Sequence, residues 1–323
     1  MRKSNRAAIF KLLASAFVGL ASVFSIAHAG KPEAIAAANG SACNAVQPFY
    51  WEIGRKWGGP IISGQVGGNT YGRNTQIGIA SASKWIFGAY VLQRYGGLPA
   101  GPSGATIISS LNMKEGHTSF NPGSCALANK VYGCYVVGNN DVVDPSKVGF
   151  FNYGGGDGQY AAAKSNLLGL GNKDANALLT EINSFLNLGS DFSYNMPAVA
   201  GGMRASAADY AAFLQGIMKG TYVMSAYLGD SPVTTQCANC NSPFGTVDLH
   251  YSLYHWIEDN TGGVLPNGTP LSPGDGAYSS PGALGFYPWI SAGKGRYGII
   301  ATDSSNFQNS YVCGKAVREA YFN

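Results

Sequence analysis

Charge is scarce in this chain: Asp, Glu, Lys and Arg supply only 12% of its 323 residues, and there are 4 His. The formal net charge of +4 is local. Arg2, Lys3, Arg6 and Lys11 are four of the 21 basic residues, no acidic residue precedes Gly30, and 17 of each sign remain beyond that point. A near-neutral chain without a basic stripe argues against a nucleic-acid partner. A Gly-x-Ser-x-Gly elbow is also lacking, so a Ser, His, Asp triad on that template has no starting point. There is no His-Glu-x-x-His run, and His250 and His255 stand five apart, which is wrong for the helical zinc pair. Gly154-Gly155-Gly156 is followed by neither Lys-Ser nor Lys-Thr, so it is not a phosphate loop. No metal or cofactor is expected. Beyond Ala27 no run is apolar enough to span a bilayer.

The one long apolar run, Leu12 to Ala27, follows the basic start and closes on Ala27-His28-Ala29. This is the pattern of a secretory signal peptide, so residues 1–29 are expected to be removed, leaving residues 30–323 as one secreted or periplasmic catalytic unit without a stable membrane anchor. Six cysteines follow, Cys43, Cys125, Cys134, Cys237, Cys240 and Cys313. An even count in an exported chain reads as disulfides, with fifteen pairings open. The expected set is Cys43 with Cys313, Cys125 with Cys134, and Cys237 with Cys240. The Cys237-x-x-Cys240 spacing also suits redox or zinc chemistry, but neither a thioredoxin-like context nor a second ligand pair accompanies it.

Apolar residues make up 46% and Gly is abundant, as in a loop-rich chain with a large core. A helix is expected around Gln47, Trp51 and Trp57. A hairpin is expected from Pro60 to Val66 and Thr70 to Ile79 across Gly67-Gly68-Asn69. A helix from Ser81 through Trp85, Ala89 and Leu92 ends near Gly96-Gly97. Thr106 to Met113, Asp174 to Leu188 and Ser206 to Met218 read as helices, the last capped by Ser206 with Asp209 in the capping-box position. Tyr278 to Ile290 and Arg296 to Thr302 read as a hairpin, and Val312 to Tyr321 as a terminal helix. The expected fold is α+β, an α/β sandwich: an antiparallel sheet flanked by the N- and C-terminal helices, with a mainly helical lobe inserted. The α/β lobe takes residues 30–100 and 245–323, and the helical lobe 101–244.

Ser81 and Lys84 begin the helix after the first β-like segment. At a spacing of three they share a helix face, so a hydroxyl and an amine can touch. A serine becomes nucleophilic when a neighbouring base takes its proton, and a desolvated lysine can be that base.

Three further stretches give this pair a context. Phe151-Asn152-Tyr153-Gly154-Gly155 resembles a Tyr-x-Asn motif, Ser280-Pro281-Gly282-Ala283-Leu284-Gly285 resembles a Lys-Thr-Gly or His-Thr-Gly strand, and Pro197 to Tyr210 and Tyr251 to Ile257 resemble the segments around them. With Ser81-x-x-Lys84 they are similar in order to the serine β-lactamase and penicillin-binding-protein superfamily, nearest its class C β-lactamase and esterase branch. The resemblance covers most of Val46 to Ala320 and implies a β-lactamase/transpeptidase-like fold. It also implies acyl transfer through Ser81 as nucleophile, with Lys84 as general base and Tyr153 as general acid and base. The backbone N–H groups of Ser81 and Ala283 would form the oxyanion hole, and Gly282 would allow close approach of the substrate.

Two departures stand out. Gly155 takes the asparagine position, and Ser280 with Pro281 replaces the cationic start of the third motif. Both argue against recognition of a β-lactam or D-alanyl peptide carboxylate and for an esterase-like or amidase-like hydrolase, acting as a monomer on a small-molecule or oligomeric substrate. Ser280, Gly282, Gly155, Asp157 and His255 are the candidate substrate-binding residues, and Trp85, Tyr287 and Trp289 are candidates for an apolar acyl pocket. The alternatives are a β-lactamase or D-alanyl peptidase, and a non-catalytic envelope binding protein that keeps the fold.

Overall fold

The computed structural model describes residues 30–323; the expected signal segment lies outside the described residues. Helix α1 (Lys31–Ala38) leads into strands β1 (Phe49–Arg55) and β2 (Pro60–Val66), and short β3 (Ile77–Gly78) precedes α2 (Ser83–Tyr95). Helices α3 (Gly101–Leu111), α4 (Val131–Val136), α5 (Gly156–Ala163) and α6 (Ala175–Leu186) follow, then β4 (Ser193–Tyr194), β5 (Met203–Ala205) and α7 (Ala207–Lys219). The chain returns to strands in β6 (Val233–Thr234), β7 (His250–Ser252), β8 (His255–Glu258), β9 (Gly263–Val264), β10 (Pro270–Leu271), β11 (Ala277–Ser279), β12 (Tyr287–Ile290) and β13 (Arg296–Ala301). It closes with α8 (Phe307–Phe322).

Eight strands form one antiparallel sheet in the order β2-β1-β13-β12-β11-β8-β7-β6. The first two strands therefore lie against the last ones, and everything from β3 to α7 is inserted between them. Helices α1 and α8 pack together on one face of this sheet, joined by the Cys43–Cys313 disulfide, while α7 lies against β12 and β13. Cys125–Cys134 and Cys237–Cys240 close two local loops. This is the α+β arrangement expected, with antiparallel strands between terminal helices and a helical insertion.

Helix α2 is the centre of the molecule. Every residue from Ser83 to Leu92 is buried, so it is covered on all sides and has no solvent face. Its expected end near Gly96 is observed, as are the helix caps: the Ser206 hydroxyl accepts from the Asp209 N–H at 3.2 Å, and Asp174 caps α6.

Three expected elements differ. The segment around Trp51 is the strand β1, not a helix. It is an interior strand, paired with both β2 and β13 and buried on both faces, so its apolar residues run continuously instead of alternating. The hairpin after it is absent: β2 turns back on β1, and only Ile77–Gly78 of the later segment pairs, with β5 from the inserted lobe. Tyr278 to Ile290 is two antiparallel strands, β11 and β12, because residues 280–286 fold into a turn between them.

A buried ionic cluster joins α8 to the sheet. Arg318, fully buried, donates to Glu258 on β8 at 2.5 Å, to Asp275 at 2.7 and 3.0 Å, and to the Tyr287 hydroxyl on β12 at 2.6 Å. Tyr287 in turn donates to Glu258 at 2.7 Å. Each charge in such a cluster is tolerated only through its partners. Arg318→Met should therefore lower stability by ~3–5 kcal/mol in urea unfolding followed by tryptophan fluorescence, because Glu258 is left buried and unpaired. Arg318→Met with Glu258→Gln should recover part of that loss, and equal losses in both variants would show that the ion pair is not what matters.

Candidate active site

The turn that carries Ser81 is a tight piece of backbone. Ala80 holds φ of +43°, a conformation an alanine rarely adopts, immediately before Ser81. Its carbonyl is locked by the Ser83 hydroxyl, which donates to it at 2.6 Å and accepts from the Met203 N–H at 3.2 Å. Ile79 N–H donates to Met203 O, and the Tyr210 hydroxyl donates to Ala82 O at 2.8 Å. Strand β5 and helix α7 thus fix the turn from one side.

Lys84 lies one helical turn on, with its Nζ 2.9 Å from Ser81 Oγ and 3.1 Å from the Ala200 carbonyl, to which it donates. Only 3% of the residue is exposed. Among the described residues no carboxylate pairs with it, and burial lowers its pKa from 10.5 to about 7. Its amine also sits 4.7 Å from the centre of the Tyr153 ring. Tyr153 is held by its backbone: its N–H donates to Asn241 O at 2.9 Å, and the neighbouring Asn152 N–H to Met113 O at 2.9 Å. Burial pushes the Tyr153 phenol up to about 12, opposed by hydrogen bonding to Ser81 and Trp256. Near neutral pH the site therefore contains an amine that can be free base and a phenol that keeps its proton.

The third segment is the turn between β11 and β12. The Ser280 hydroxyl donates to the Ser81 carbonyl at 3.1 Å, tying this turn to the Ser81 segment. A Cβ at Gly282 would collide with the Ile79 carbonyl, so only glycine allows the two segments this close. Gly282 N–H is used in a bond to Phe286 O at 2.7 Å. Among the described residues the Ala283 N–H has no backbone acceptor, and Ala283 borders the same space as Ser81.

Two cavities meet at Ser81. One of about 190 Å³ is bordered by Lys84, Phe120, Pro122, Gly154, Gly155 and Gly201. The other, of about 150 Å³, is bordered by Pro243, Phe244, Trp256, Pro281 and Phe307. Ser81, Tyr153 and Ala283 line both. Apart from Lys84 neither cavity has a charged side chain on its wall.

Sequence reasoning missed Phe120, Phe244, Trp256 and Phe307, and the structure explains the departure at Gly155. A Cβ there would stand 2.6 Å from the Phe120 ring, so an aromatic side chain from a distant loop occupies the space an asparagine would need. Two expected binding residues are placed elsewhere. Asp157 lines neither cavity; its carboxylate accepts from the Glu115 and His117 N–H groups, each at 2.9 Å, in the loop that leads to Phe120. His255 is fully buried, stacked on Trp85 at 5.7 Å, with Nε2 accepting from the Gly229 N–H at 2.9 Å and a pKa lowered by burial to about 3. Strand parity accounts for this second correction. Side chains of β8 alternate, so His255 faces α2 while Trp256, one residue on, faces the cavity. Trp85, Tyr287 and Trp289 are core residues without a place on either cavity wall.

No family model and no curated protein matches this chain. Solved structures do. A D-stereospecific amidohydrolase from Streptomyces sp. aligns with a TM-score of 0.55 at 15% identity, over 89% of this chain and 98% of its own. The hydrolase EstCE1, described as having promiscuous acyltransferase activity, aligns at 0.59 and 12% over 90% and 99%. A β-lactamase from Mycobacterium bovis aligns at 0.50 and 14% over 85% and 96%. At such identities the likeness speaks for the fold. With the sheet order and inserted helical lobe described above, it shows that this chain has the fold of the serine β-lactamase and penicillin-binding-protein-like superfamily.

Proposed function

We propose that this protein is an exported serine hydrolase that cleaves an uncharged ester, or a related amide, through a covalent acyl-Ser81 intermediate. The observation that carries the proposal is the buried, unpaired Lys84 amine 2.9 Å from Ser81 Oγ. A binding protein gains nothing from keeping such an amine out of water, whereas a nucleophilic serine requires a base.

In this mechanism Ser81 Oγ bonds to the substrate carbonyl carbon and its proton passes to neutral Lys84. The carbonyl electron pair moves onto oxygen, opposite the N–H groups of Ser81 and Ala283, where fixed donors stabilise the charge. As the intermediate collapses, the bond to the leaving group breaks and that group takes a proton from Tyr153, which recovers one from the Lys84 ammonium. Water then repeats the sequence on the acyl-enzyme and releases the acid. Tyr153 serves as a relay, since its raised pKa keeps the phenol protonated.

The choice of an uncharged substrate rests on the cavity walls, where Lys84 is the one cation and is committed to the chemistry. An amidohydrolase and a hydrolase with acyltransferase activity among the fold neighbours are in keeping with this reading. Three disulfides suit an oxidising compartment outside the cytoplasm, in keeping with the signal-like start of the sequence.

Three outcomes are expected. A fluorophosphonate probe should label the protein and simple esters should turn over, with both lost in Ser81→Ala; unchanged labelling in that variant would exclude Ser81 as nucleophile. Nitrocefin should be hydrolysed at least a hundredfold less efficiently than a short-chain ester, and the reverse order would favour a β-lactamase. The acylation rate should rise with pH through one ionisation near 7 and level off above it, because the neutral amine is the base.

The same shift has a consequence for stability. With a folded pKa of about 7 against an ordinary 10.5, Lys84 is protonated in the unfolded chain but neutral in the folded one between those values, so stability due to this group rises with pH across that window. Lys84→Met should therefore be inactive yet more stable than wild type at pH 6, by on the order of 3 kcal/mol. The gain should shrink toward pH 10 in denaturant titrations, and a pH-independent gain would contradict the assigned pKa.

A further inference from the structure

The smaller cavity at Ser81 has walls of a consistent kind. Phe244 is fully buried, and its ring meets Trp256 at 4.7 Å, Phe307 at 5.4 Å and Tyr311 at 5.0 Å between centres. Trp256 also contacts Tyr153 at 5.2 Å and Tyr251 at 4.9 Å. Pro243 and Pro281 complete the wall with rigid, uncharged surface. Each aromatic ring is braced by others, so the cavity is shaped before a ligand arrives and cannot readily widen. Its floor is anchored twice: Trp256 lies on β8 inside the main sheet, and Phe307 opens α8, the helix joined to the N-terminal segment by the Cys43–Cys313 disulfide.

We propose that this cavity is the specificity pocket of the enzyme, and that it takes one uncharged apolar group the size of a phenyl ring, or an alkyl chain of about six carbons, carried on one side of the scissile ester bond. The assignment rests on the acyl-Ser81 reading and adds the substrate class to it. Size supports the claim: the cavity holds about 150 Å³, and an apolar cavity of roughly that volume in another protein stays dry and accommodates benzene. Chemistry supports it as well, since no charged side chain lines the space and a polar substituent placed there would lose its hydration without replacement. Position completes it. Ser81, Tyr153 and Ala283 border both cavities, so a carbonyl held between the nucleophile and the Ala283 N–H has one half of the substrate directed into the aromatic cavity. The other half lies in the more open cavity past Phe120.

The test measures kcat/KM by pH-stat for two ester series. In one, ethyl esters vary in acyl group from acetyl to decanoyl, with phenylacetyl included. In the other, acetates vary in alcohol from methyl to decyl, with benzyl included. In one of the two series kcat/KM should rise roughly fourfold per methylene, the factor expected from burying about 0.8 kcal/mol each, to an optimum near six carbons or the phenyl group. It should then fall at least tenfold by ten carbons. Phe307→Ala should move the optimum to longer groups and Phe307→Trp to shorter ones; Phe307 is only half-buried, and the opposite shifts of two variants separate pocket size from loss of folding. A flat or steadily rising profile in both series, or an optimum that neither variant moves, overturns the pocket assignment while labelling at Ser81 leaves the acyl-transfer reading standing. Absence of both labelling and turnover removes that reading and this assignment with it.

Discussion

The site depends on keeping one amine out of water without giving it a counter-ion. Lys84 could recover most of its charge stabilisation from a single carboxylate, and then it would be a poor base at neutral pH. Instead its neighbours are a backbone carbonyl, a serine hydroxyl and the face of a tyrosine ring. Each of these can lie beside a neutral amine. Much of the surrounding architecture serves this end. Helix α2 is enclosed on all sides, the loop through Ala200 closes over Lys84 and supplies the carbonyl, and Tyr153 is clamped through the backbone of Asn241.

Elsewhere the molecule treats charge in the opposite way. Arg318 is as deeply buried as Lys84, yet it is surrounded by Glu258, Asp275 and Tyr287 and stays charged. Glu52, on β1, is likewise satisfied by Tyr50, Tyr297 and Arg73. Paired charges bind α8 and the sheet together, while the unpaired amine lies beside Ser81. The contrast gives Lys84 its significance, because the fold plainly can pair a buried cation and does not do so there.

The space beside Ser81 is walled largely by aromatic rings. Where the superfamily resemblance leads one to expect an asparagine amide and a cationic strand, this chain has Gly155 facing Phe120, and Ser280 bound to the Ser81 carbonyl. Ser280 is thus part of the scaffold that holds Ser81, and Phe120 fills space beside it. Ser81 and Lys84 are set beside cavities whose walls, apart from Lys84, carry no charge.

The contact of Ser81 with Lys84 was legible from residue spacing alone, because the two lie within one helical turn and local geometry decides that they meet. The helix caps and the long amphipathic helices were legible for the same reason. The three cysteine pairs agree with those expected, although Cys43 and Cys313 are separated by 270 residues and nothing local requires them to meet. Strand β1 was hidden because interior strands lack the alternation that marks a half-buried one, whereas the turn between β11 and β12 does carry a signal in the sequence, Ser280-Pro281-Gly282. Asp157 and His255 looked available in the sequence and are not, since a polar residue is claimed by whichever backbone donors tertiary packing brings to it. The pocket walls were the least visible. Phe120, Phe244, Trp256 and Phe307 come from four separate segments, of which only the one with Trp256 belongs to a stretch that carries the resemblance, and an aromatic residue in a core and one on a cavity wall look alike until the chain has folded. Sequence by itself determined that Ser81 and Lys84 meet, and the class of fold; only the tertiary structure decided which rings line the cavities beside them, because side-chain direction there depends on strand parity and loop packing across the whole chain.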